Sequence, residues 1–512
     1  MMAAPRLNWR LLDLLRGIAE GAVAALGRQP HLASVEITGL SSHSRAVHAG
    51  DLFLACVGQR VHGRGYIDAA IDAGAHAVLW EADTRLDSIA LTWRTSPSGH
   101  QVPVIAVTDL SSLVGVLADR FYGQPSAQLF VTGITGTNGK TSCSQFLAQA
   151  ASAFAPCGVI GTLGHGLYGA LESDGHTTPD AVTCHRWLAD FLSGGATSAV
   201  MEVSSHALDQ GRVNGVAFDC AVFTNLTREH LDYHGDMTRY GMAKRTLFAV
   251  PGLRHAVINT DDAFGRELAG GMPPHVELIT YGLEHDGTPP TVHGSDLVLD
   301  ARGIALQVST AWGKGELRAP LLGRFNASNL LAVLAVLLIR GVSLDEALQR
   351  LAATRTVSGR MERFGGGPAP LAVVDYAHTP DALEQVLGAL REHCAGKLWC
   401  VFGCGGDRDR GKRPLMGAVA ERIADRVVLT DDNPRHEDPS EIIVAIRTGM
   451  QRPDSALVQR ERGKAIALAL GEAATGDVVL IAGKGHEDYQ LVGDRKLEFS
   501  DVATVQALLG EG

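Results

Sequence analysis

The sequence predicts an α/β fold divided into three domains. The chain has 512 residues, well beyond the roughly 250–300 residues at which single hydrophobic cores stop growing. Its composition is globular, with 46% hydrophobic and 20% charged residues. Strand-like apolar runs alternate with helical segments, which favours parallel sheets covered by helices. We therefore predict domains at residues 1–110, 111–355 and 356–512.

The first domain is predicted to be a small α/β unit. Strand-like runs at 51–57, 77–81 and 104–107 accompany a short helical segment at 66–73. A polar stretch with Ser, Pro and Gly at 95–101 precedes the last of these strands. The domain is expected to end near residue 110.

The middle domain opens on a strand at 129–135, a Gly-rich turn and a helix at 140–154. A region from about 272 to 320 has short alternating runs, which predict antiparallel strands. A strongly apolar helix is predicted after Asn329, ending near Gly341. Further strands are predicted at 198–203, 220–224 and 256–259.

The last domain alternates most regularly and predicts a Rossmann-like, doubly wound parallel sheet. Ligands of such sheets bind at the carboxyl ends of the strands. Strands are predicted at 371–376, 398–402, 426–430 and 477–482, and helices at 381–393, 414–423, 440–450 and 464–473.

Composition disfavours several classes of protein. The 45 Lys and Arg against 56 Asp and Glu give a net charge of −11, which argues against a nucleic-acid partner. The longest apolar run, 330–339, has half of the roughly 20 residues that span a bilayer. The first 15 residues lack an apolar signal segment, so a cytoplasmic location is expected.

Cysteine usage predicts reduced thiols. The eight cysteines are dispersed along the chain, unlike a disulfide framework. Cys400 and Cys404 form one C-x3-C pair, which favours two buried thiols at a strand end over a zinc site.

A phosphate-binding loop is predicted at 132–141, TGITGTNGKT, between a strand and a helix. Gly136 and Gly139 let backbone N–H groups converge on phosphate oxygens at the positive end of the helix. Lys140 would reach the β- and γ-phosphates and the Thr141 hydroxyl would bind Mg²⁺. The loop departs from the standard Walker spacing, because Ile134 occupies the position of its first glycine.

Residues 136–141 (GTNGKT) resemble the ATP loop of the Mur ligases and folylpolyglutamate synthases. Further motifs extend the resemblance to the Mur ligases over nearly the whole chain, and the full set in this order is very specific. They are MEVSSHAL at 201–208, NLTREHLDYHG at 225–235, residues 326–329, GRME at 359–362, DYAHTPD at 375–381, GCGGDRDRGKRPLM at 403–416, DNPR at 432–435 and GKGHE at 483–487.

The resemblance implies an ATP-dependent amide ligase of peptidoglycan synthesis. Its substrates would be UDP-N-acetylmuramoyl-L-alanyl-D-glutamate, bound partly by the N-terminal domain, and meso-2,6-diaminopimelate, read by the C-terminal domain. ATP would phosphorylate the D-glutamate carboxylate, and the amine would displace phosphate from the acyl phosphate. Bringing phosphoryl and carboxylate groups together needs cations. A monomer without a membrane span is expected.

The resemblance also implies a central ATP site with two Mg²⁺ ions. Thr141 and Glu202 would bind one ion, and His230 and Lys244 the other. Lys244 would act as a carbamate made with CO2, because lysine loses its proton readily when buried. Lys140, Glu202, His230 and Lys244 would be catalytic. The implied ATP contacts are Gly136, Thr137, Asn138, Gly139, Lys140, Thr141, Ser142, Asn329, Arg360 and Asp375.

The local sequence leaves other interpretations of these residues open. A carboxylate ending an apolar strand is costly to bury without a cation, but Glu202 also fits a solvated strand end. His230 also fits an exposed loop and Lys244 a helix surface. Asn329 also fits a helix N-cap and Arg360 a linker salt bridge.

Substrate positions are implied for the first two domains. Ser42, Ser44, Gln59, Arg60 and Val61 match uridine-binding positions of the family, and Thr177, Thr178, Ser204, Gln210 and Arg212 match positions that hold the sugar-peptide. Two positions depart from the family's pattern. His43 precedes Ser44 where Asp is common, and His176 precedes TTPD where Asn is usual.

The incoming amino acid is expected at the DNPR turn. Pro434 would fix the turn, and Arg435 would take the second carboxylate of diaminopimelate, which lysine lacks, through a bidentate fork. Glu487 would hold an ammonium group. The implied contacts are Arg408, Asp432, Asn433, Pro434, Arg435, Gly483 and Glu487.

Four alternative functions fit these residues less well. The same ligase adding L-lysine is disfavoured by the DNPR turn, and a folylpolyglutamate synthase would not need a uridine-binding domain. A nucleotide switch would need an N-K-x-D motif, which the sequence lacks. In a dinucleotide-binding redox enzyme, Arg408 would occupy the place of the last fingerprint glycine.

Overall fold

A computed structural model describes residues 7–29, 34–58, 62–82, 91–172, 175–285, 287–357 and 359–510. The chain forms two compact units, Met1–Thr280 and Tyr281–Gly512. All eight cysteines are thiols, six of them buried and Cys56 and Cys394 half-buried. Among the described residues, no helix is both long and apolar enough to cross a membrane.

The first unit begins with a five-stranded sheet whose last pair of strands is antiparallel and whose other pairs are parallel. The two short strands Trp9–Arg10 and Glu36–Ile37 form a separate antiparallel pair. In spatial order the strands are Gly39–Ser41, Asp51–Ala55, Ala77–Ala82, Gln101–Thr108 and Leu91–Thr95. The helices are Leu11–Leu15, Glu20–Gly27, Ile67–Asp72 and Leu110–Phe121.

A second, mostly parallel sheet follows in the same unit. Its central strand, Phe130–Thr135, lies between Ser198–Glu202 and Cys220–Phe223. The carboxyl ends of these three strands therefore meet at one edge, where parallel sheets bind ligands. The remaining strands are Cys157–Gly161, Gly164–Leu167, Ala170–Glu172 and His255–Asn259, and the strand Glu277–Gly282 contains the end of the unit at Thr280. The helices are Lys140–Ser152, Ala181–Ser193, Ser205–Asp209, Leu231–His234, Met237–Arg245 and Ala263–Gly270.

The second unit begins with antiparallel strands and a buried helix. Val292–Asp300, Gly303–Thr310 and Gly313–Ala319 pair in sequence. The helix Arg324–Ile339 is buried around its whole circumference from Leu330 to Leu338, as its apolar sequence requires. The helix Leu344–Ala352 follows.

A six-stranded sheet completes the second unit. Its edge strand Glu362–Gly365 is antiparallel to Leu371–Asp375, and the other pairs are parallel. The spatial order continues with Val478–Ala482, Leu398–Phe402, Arg426–Leu429 and Leu457–Val458. The helices are Pro380–His393, Lys412–Ile423, Pro439–Arg447, Arg462–Glu472 and Asp501–Leu509, and Tyr489–Val492 pairs with Arg495–Glu498 as a hairpin.

Two buried polar contacts hold this unit together. Arg462 and Asp501, both fully buried, form an ion pair with N···O distances of 2.7 Å, and Arg462 also donates to the Ala482 carbonyl at 3.0 Å. The ring of His393 accepts a hydrogen bond from the Gly323 N–H at 2.8 Å through Nε2. Its Nδ1 faces the Asp300 carbonyl at 2.8 Å, so the neutral ring carries its proton on Nδ1.

The predicted α/β class is confirmed, as is the antiparallel region before the apolar helix. The strand predicted at 398–402 has those bounds. The apolar helix begins at Arg324 instead of after Asn329, so the N-cap interpretation of Asn329 is wrong. Gly323, with φ +88°, precedes this helix. The predicted domain boundaries remain predictions.

Candidate active site

The phosphate loop leaves the strand Phe130–Thr135 and enters the helix Lys140–Ser152. Gly139 turns the chain with φ +86°, in the left-handed region that favours glycine. A Cβ at Gly136 would lie 1.9 Å from Oγ1 of Thr224. The Lys140 ammonium folds over the loop and donates to the carbonyls of Gly136 at 2.8 Å and Thr137 at 2.9 Å. Burial lowers the pKa of Lys140, while Glu202 opposes the shift.

A neighbouring loop braces the phosphate loop. Asn225 accepts from the Asn138 N–H at 2.9 Å through Oδ1 and from the Thr137 N–H at 2.8 Å through its carbonyl. The Thr224 hydroxyl donates to the Asn138 carbonyl at 2.6 Å. These bonds preorganise the loop by holding residues 137 and 138 in one conformation.

Glu202 ends its strand as a fully buried carboxylate, so the solvated interpretation is wrong. Oε2 accepts from the hydroxyls of Thr141 at 2.7 Å and Thr162 at 3.1 Å. Oε1 accepts from the Thr162 N–H at 3.0 Å and the Ser144 hydroxyl at 3.2 Å. Burial raises the pKa of Glu202 in spite of these donors. A nearby cation would therefore stabilise its ionised form.

Lys244 is a buried amine with 1% of its surface exposed, so the helix-surface interpretation is wrong. Its Nζ donates to the Gly136 carbonyl at 2.9 Å and lies 4.3 Å from the ring centre of Tyr240. No carboxylate of the described residues lies within ion-pair distance of it. Burial, reinforced by Lys140, lowers the pKa of Lys244 to about 6. The amine is therefore largely neutral at pH 7 and above.

An aromatic cluster places His230 near Lys244. The imidazole of His230 lies 6.0 Å, centre to centre, from the Tyr240 ring and 4.8 Å from that of His206. The side chain of His230 is 43% exposed, and its backbone is left-handed, with φ +54°. Tyr240 thus contacts both predicted ligands of the second metal ion, and its hydroxyl lies 3.2 Å from that of Thr137.

The residues predicted to hold the sugar-peptide form one network in the first unit. The buried Thr178 hydroxyl donates to the Glu202 carbonyl at 2.7 Å and accepts from the Ser204 N–H at 3.2 Å. Arg212 donates to the Thr178 carbonyl at 2.9 Å and to Gln210 Oε1 at 2.6 Å. The Thr177 hydroxyl lies 3.0 Å from that of Thr162. Thr178 therefore contacts the backbone of Glu202, and Thr177 reaches Thr162, which binds the Glu202 carboxylate.

The predicted uridine positions are only partly described. The Ser42 hydroxyl donates to Asp180 Oδ1 at 3.3 Å, which links the first sheet to the residues following Thr178. Ser44 begins a short 3-10 turn, Ser44–Ala46. Gln59, Arg60 and Val61 lie outside the described residues.

Three predicted ATP contacts belong to the second unit. Asp375 ends its strand and accepts from the N–H groups of Met361 at 2.8 Å and Ala377 at 2.7 Å. Burial raises the pKa of Asp375 against these bonds. The Arg360 guanidinium lies 5.0 Å from the Tyr376 ring centre, and no ion pair with it exists among the described residues. The linker salt-bridge interpretation of Arg360 therefore has no support among those residues.

Asn329, the third, is buried within its helix and donates to Asn326 Oδ1 at 3.1 Å. Asn326 in turn donates to the Leu322 carbonyl at 2.8 Å. The two amides therefore tie the first turns of the helix to the chain that precedes it.

The DNPR and GKGHE segments meet at the carboxyl ends of parallel strands, as expected. Asn433 Nδ2 donates to Glu487 Oε2 at 3.0 Å. A Cβ on Gly483 would lie 2.8 Å from Asp432 Oδ2. Four of the predicted amino-acid contacts are thus brought together in the second unit.

Arg435 adopts a left-handed backbone, with φ +51°. Its Nη1 donates to the Gly406 carbonyl at 2.8 Å. A Cβ on Gly405 would lie 3.0 Å from that nitrogen and 3.6 Å from Cγ of Arg408. Gly405 therefore leaves space for the side chains of Arg435 and Arg408, whereas a Cβ at Gly406 would lie 1.9 Å from the Pro434 carbonyl oxygen. Pro434 is buried in the turn.

Four residues of the site escaped the sequence analysis. Ser144 and Thr162 bind Glu202 and Tyr240 contacts Lys244. Lys484, fully buried, donates to Asn433 and Glu487. Lys484 lies inside the quoted GKGHE motif and Tyr240 lies five residues after NLTREHLDYHG, so a position in or near a motif was the one signal available for these two.

Comparisons with known proteins point to one family. Three family models match the chain: "Mur ligase family, catalytic domain" at 36–122, "Mur ligase middle domain" at 134–337 and "Mur ligase, glutamate ligase domain" at 359–485. A relative from Alkalilimnicola ehrlichii is 51% identical over 93% of this chain and 95% of its own length. The chain belongs to the Mur ligase family.

Relatives of this Mur ligase share one name. The A. ehrlichii protein is named UDP-N-acetylmuramoyl-L-alanyl-D-glutamate–2,6-diaminopimelate ligase, and so is a Pseudomonas aeruginosa protein, 51% identical over 92% of this chain and 94% of its own. A solved structure titled as the same ligase has a TM-score of 0.74 and 36% identity, covering 93% of this chain and 95% of that one. The three-domain Mur ligase architecture is therefore confirmed.

Proposed function

We propose that this Mur ligase joins meso-2,6-diaminopimelate to the D-glutamate carboxylate of UDP-N-acetylmuramoyl-L-alanyl-D-glutamate, using ATP. One observation carries the proposal. The chain is about half identical, over nearly its full length, to relatives that carry this activity as their name; the phosphate loop and the contact between Asn433 and Glu487 support it. A cytoplasmic location and a monomeric state belong to the same proposal.

The phosphate loop prepares the first step. Lys140 and the amino end of its helix place positive charge where the ATP phosphates would bind. This charge lowers the repulsion between the γ-phosphate and the substrate carboxylate, which is the main barrier to forming an acyl phosphate. Arg360, Asp375 and Asn329 are proposed as further contacts of the nucleotide.

Mg²⁺ fits the residues beside Lys140. The Thr141 hydroxyl and the Glu202 carboxylate, 2.7 Å apart, form a hard oxygen pair, and Mg²⁺ in such sites takes one or two carboxylates plus substrate phosphates. The raised pKa of Glu202 also indicates a carboxylate that needs a cation. When bound, Mg²⁺ would neutralise charge on the transferred phosphoryl group.

We further propose that Lys244 is carbamylated. A neutral lysine amine adds CO2, forming an N–C bond and releasing one proton, so the neutral side chain becomes an anion. The burial of Lys244 and its pKa of about 6 support this reaction. The carbamate and His230, which both lie next to the Tyr240 ring, would together hold the second Mg²⁺.

The decisive test compares two amino acids. Phosphate release from ATP is measured with the UDP-linked dipeptide and either meso-diaminopimelate or L-lysine. We expect release with diaminopimelate and a UDP-linked tripeptide as product. Release with lysine alone would remove the assigned role of Arg435 and leave the ligase mechanism standing. Release with neither would refute the proposed substrate pair, and a folate acceptor would be the next substrate to test.

A further inference from the structure

Lys484 carries a completely buried ammonium group, with 0% of its surface exposed. It lies in the turn after the strand Val478–Ala482, between two glycines. Lysine is almost never fully buried unless its charge is paired. The Nζ of Lys484 donates to Glu487 Oε2 at 3.0 Å and to Asn433 Oδ1 at 3.2 Å. Both partners are proposed amino-acid contacts.

The ammonium group fixes which way the Asn433 amide points. Oδ1 of Asn433 accepts a hydrogen bond from Lys484 Nζ and another, at 2.9 Å, from the Leu491 N–H. Both groups can only donate, so the atom between them must be the amide oxygen. Nδ2 is therefore turned towards Glu487, to which it donates at 3.0 Å. An amide nitrogen has two N–H groups, and this contact uses one of them.

The same ammonium group orients the Glu487 carboxylate. Oε2 accepts hydrogen bonds from both Lys484 Nζ and Asn433 Nδ2. Oε1 accepts no hydrogen bond from the described residues, and the side chain remains 19% exposed. The pair thus presents a carboxylate oxygen beside an amide N–H, an acceptor beside a donor. That combination is complementary to an ammonium group next to a carboxylate, the head group of an amino acid.

We infer that Lys484 is a positioning residue for the amino-acid substrate, setting the orientation of Asn433 and Glu487 without touching the substrate. The inference rests on the proposed function. Without the ammonium group, Asn433 loses one of the two donors that hold its amide oxygen, and Glu487 loses its internal counter-charge. The amino-acid pocket then loses its preorganised polarity, while the phosphate loop is unaffected.

The test is a steady-state comparison of Lys484→Met with Lys496→Met. Lys496 is a matched control because its ammonium lies 4.2 Å from the centre of the Tyr489 ring that Lys484 also faces, at 5.5 Å. Lys496 is exposed. We expect Lys484→Met to raise the KM for diaminopimelate by about 10- to 100-fold, the scale of a lost charged hydrogen bond. The KM values for ATP and the UDP-linked dipeptide should stay within about twofold.

A double variant separates positioning from general damage. If Lys484 acts through Glu487, then Lys484→Met adds little to the defect of Glu487→Gln. Lys484→Gln, which keeps one N–H donor, should give an intermediate KM and serves if the methionine variant does not fold. An unchanged KM for diaminopimelate, or an equal rise in the KM for ATP, would overturn the inference. Failure of the proposed function would appear differently, as no diaminopimelate-dependent phosphate release by the unaltered protein.

Discussion

The buried amine of Lys244 yields the sharpest quantitative prediction. With a pKa of about 6, about 99% of the amine is neutral at pH 8, compared with about 0.3% for a lysine at its ordinary value of 10.5. The reactive form is thus enriched about 300-fold by burial. We expect protein incubated with ¹³C-bicarbonate at pH 8 to give one carbamate resonance in ¹³C NMR, and Lys244→Arg to lose it.

Two controls define this experiment. Lys496→Arg changes an exposed lysine and should leave the resonance intact. The resonance should also disappear as the pH falls below about 6, because the amine then takes up a proton and no longer adds CO2. Absence of the resonance in the unaltered protein, or its persistence in Lys244→Arg, would refute the link between burial and carbamylation.

Four further predictions concern other parts of the site and its support. Glu202→Gln should lower kcat by about 100- to 1,000-fold without lowering Tm, because a neutral amide costs less to bury than a carboxylate whose pKa is raised. Phosphate release measures kcat and thermal melts measure Tm. A lower Tm would contradict this account. Arg435→Ala should reduce kcat/KM for diaminopimelate by about 10- to 100-fold without changing whatever rate is measured with L-lysine. Equal losses with both amino acids would contradict its role in selection. Arg462→Met, which leaves the buried Asp501 carboxylate without its partner, should lower the free energy of unfolding by about 3–5 kcal/mol. Arg460→Met, at a half-exposed ion pair, should lower it by about 0–1 kcal/mol. Equal losses of stability in urea denaturation would refute the distinction. Burial lowers the pKa of His393, so the unfolded state binds more protons and stability should be lost as the pH falls below about 6.5. The difference in the free energy of unfolding between pH 5 and pH 7 should be smaller in His393→Asn than in the unaltered protein. An equal difference in both proteins would show that His393 does not cause the loss of stability.

The strands and the phosphate loop were predictable because their signals are local. A five-residue apolar run such as Leu398–Phe402 can be satisfied in few ways other than a buried strand. Gly-Lys-Thr between a strand and a helix likewise specifies its own backbone. The start of the helix Arg324–Ile339 was missed because its first turns are polar and resemble a loop.

Side-chain environments were harder to predict because they depend on distant residues. The helix Met237–Arg245 is polar in sequence, so nothing local indicated that Lys244 is buried. Lys484 and Asn433 are 51 residues apart and come together only when two strands on either side of Leu398–Phe402 end at the same edge. Their roles follow from tertiary packing, which the spacing of residues along the chain does not encode.

The distribution of the thiols gives this ligase a built-in reporter of local opening. Cys143, Cys157, Cys184 and Cys220 are buried in the first unit, and Cys400 and Cys404 in the second. Burial raises the pKa of Cys404 to about 12, so its reactive thiolate is scarce until the surrounding structure opens. A thiol-labelling time course read by mass spectrometry would therefore report which unit loses its structure first, without any engineered probe.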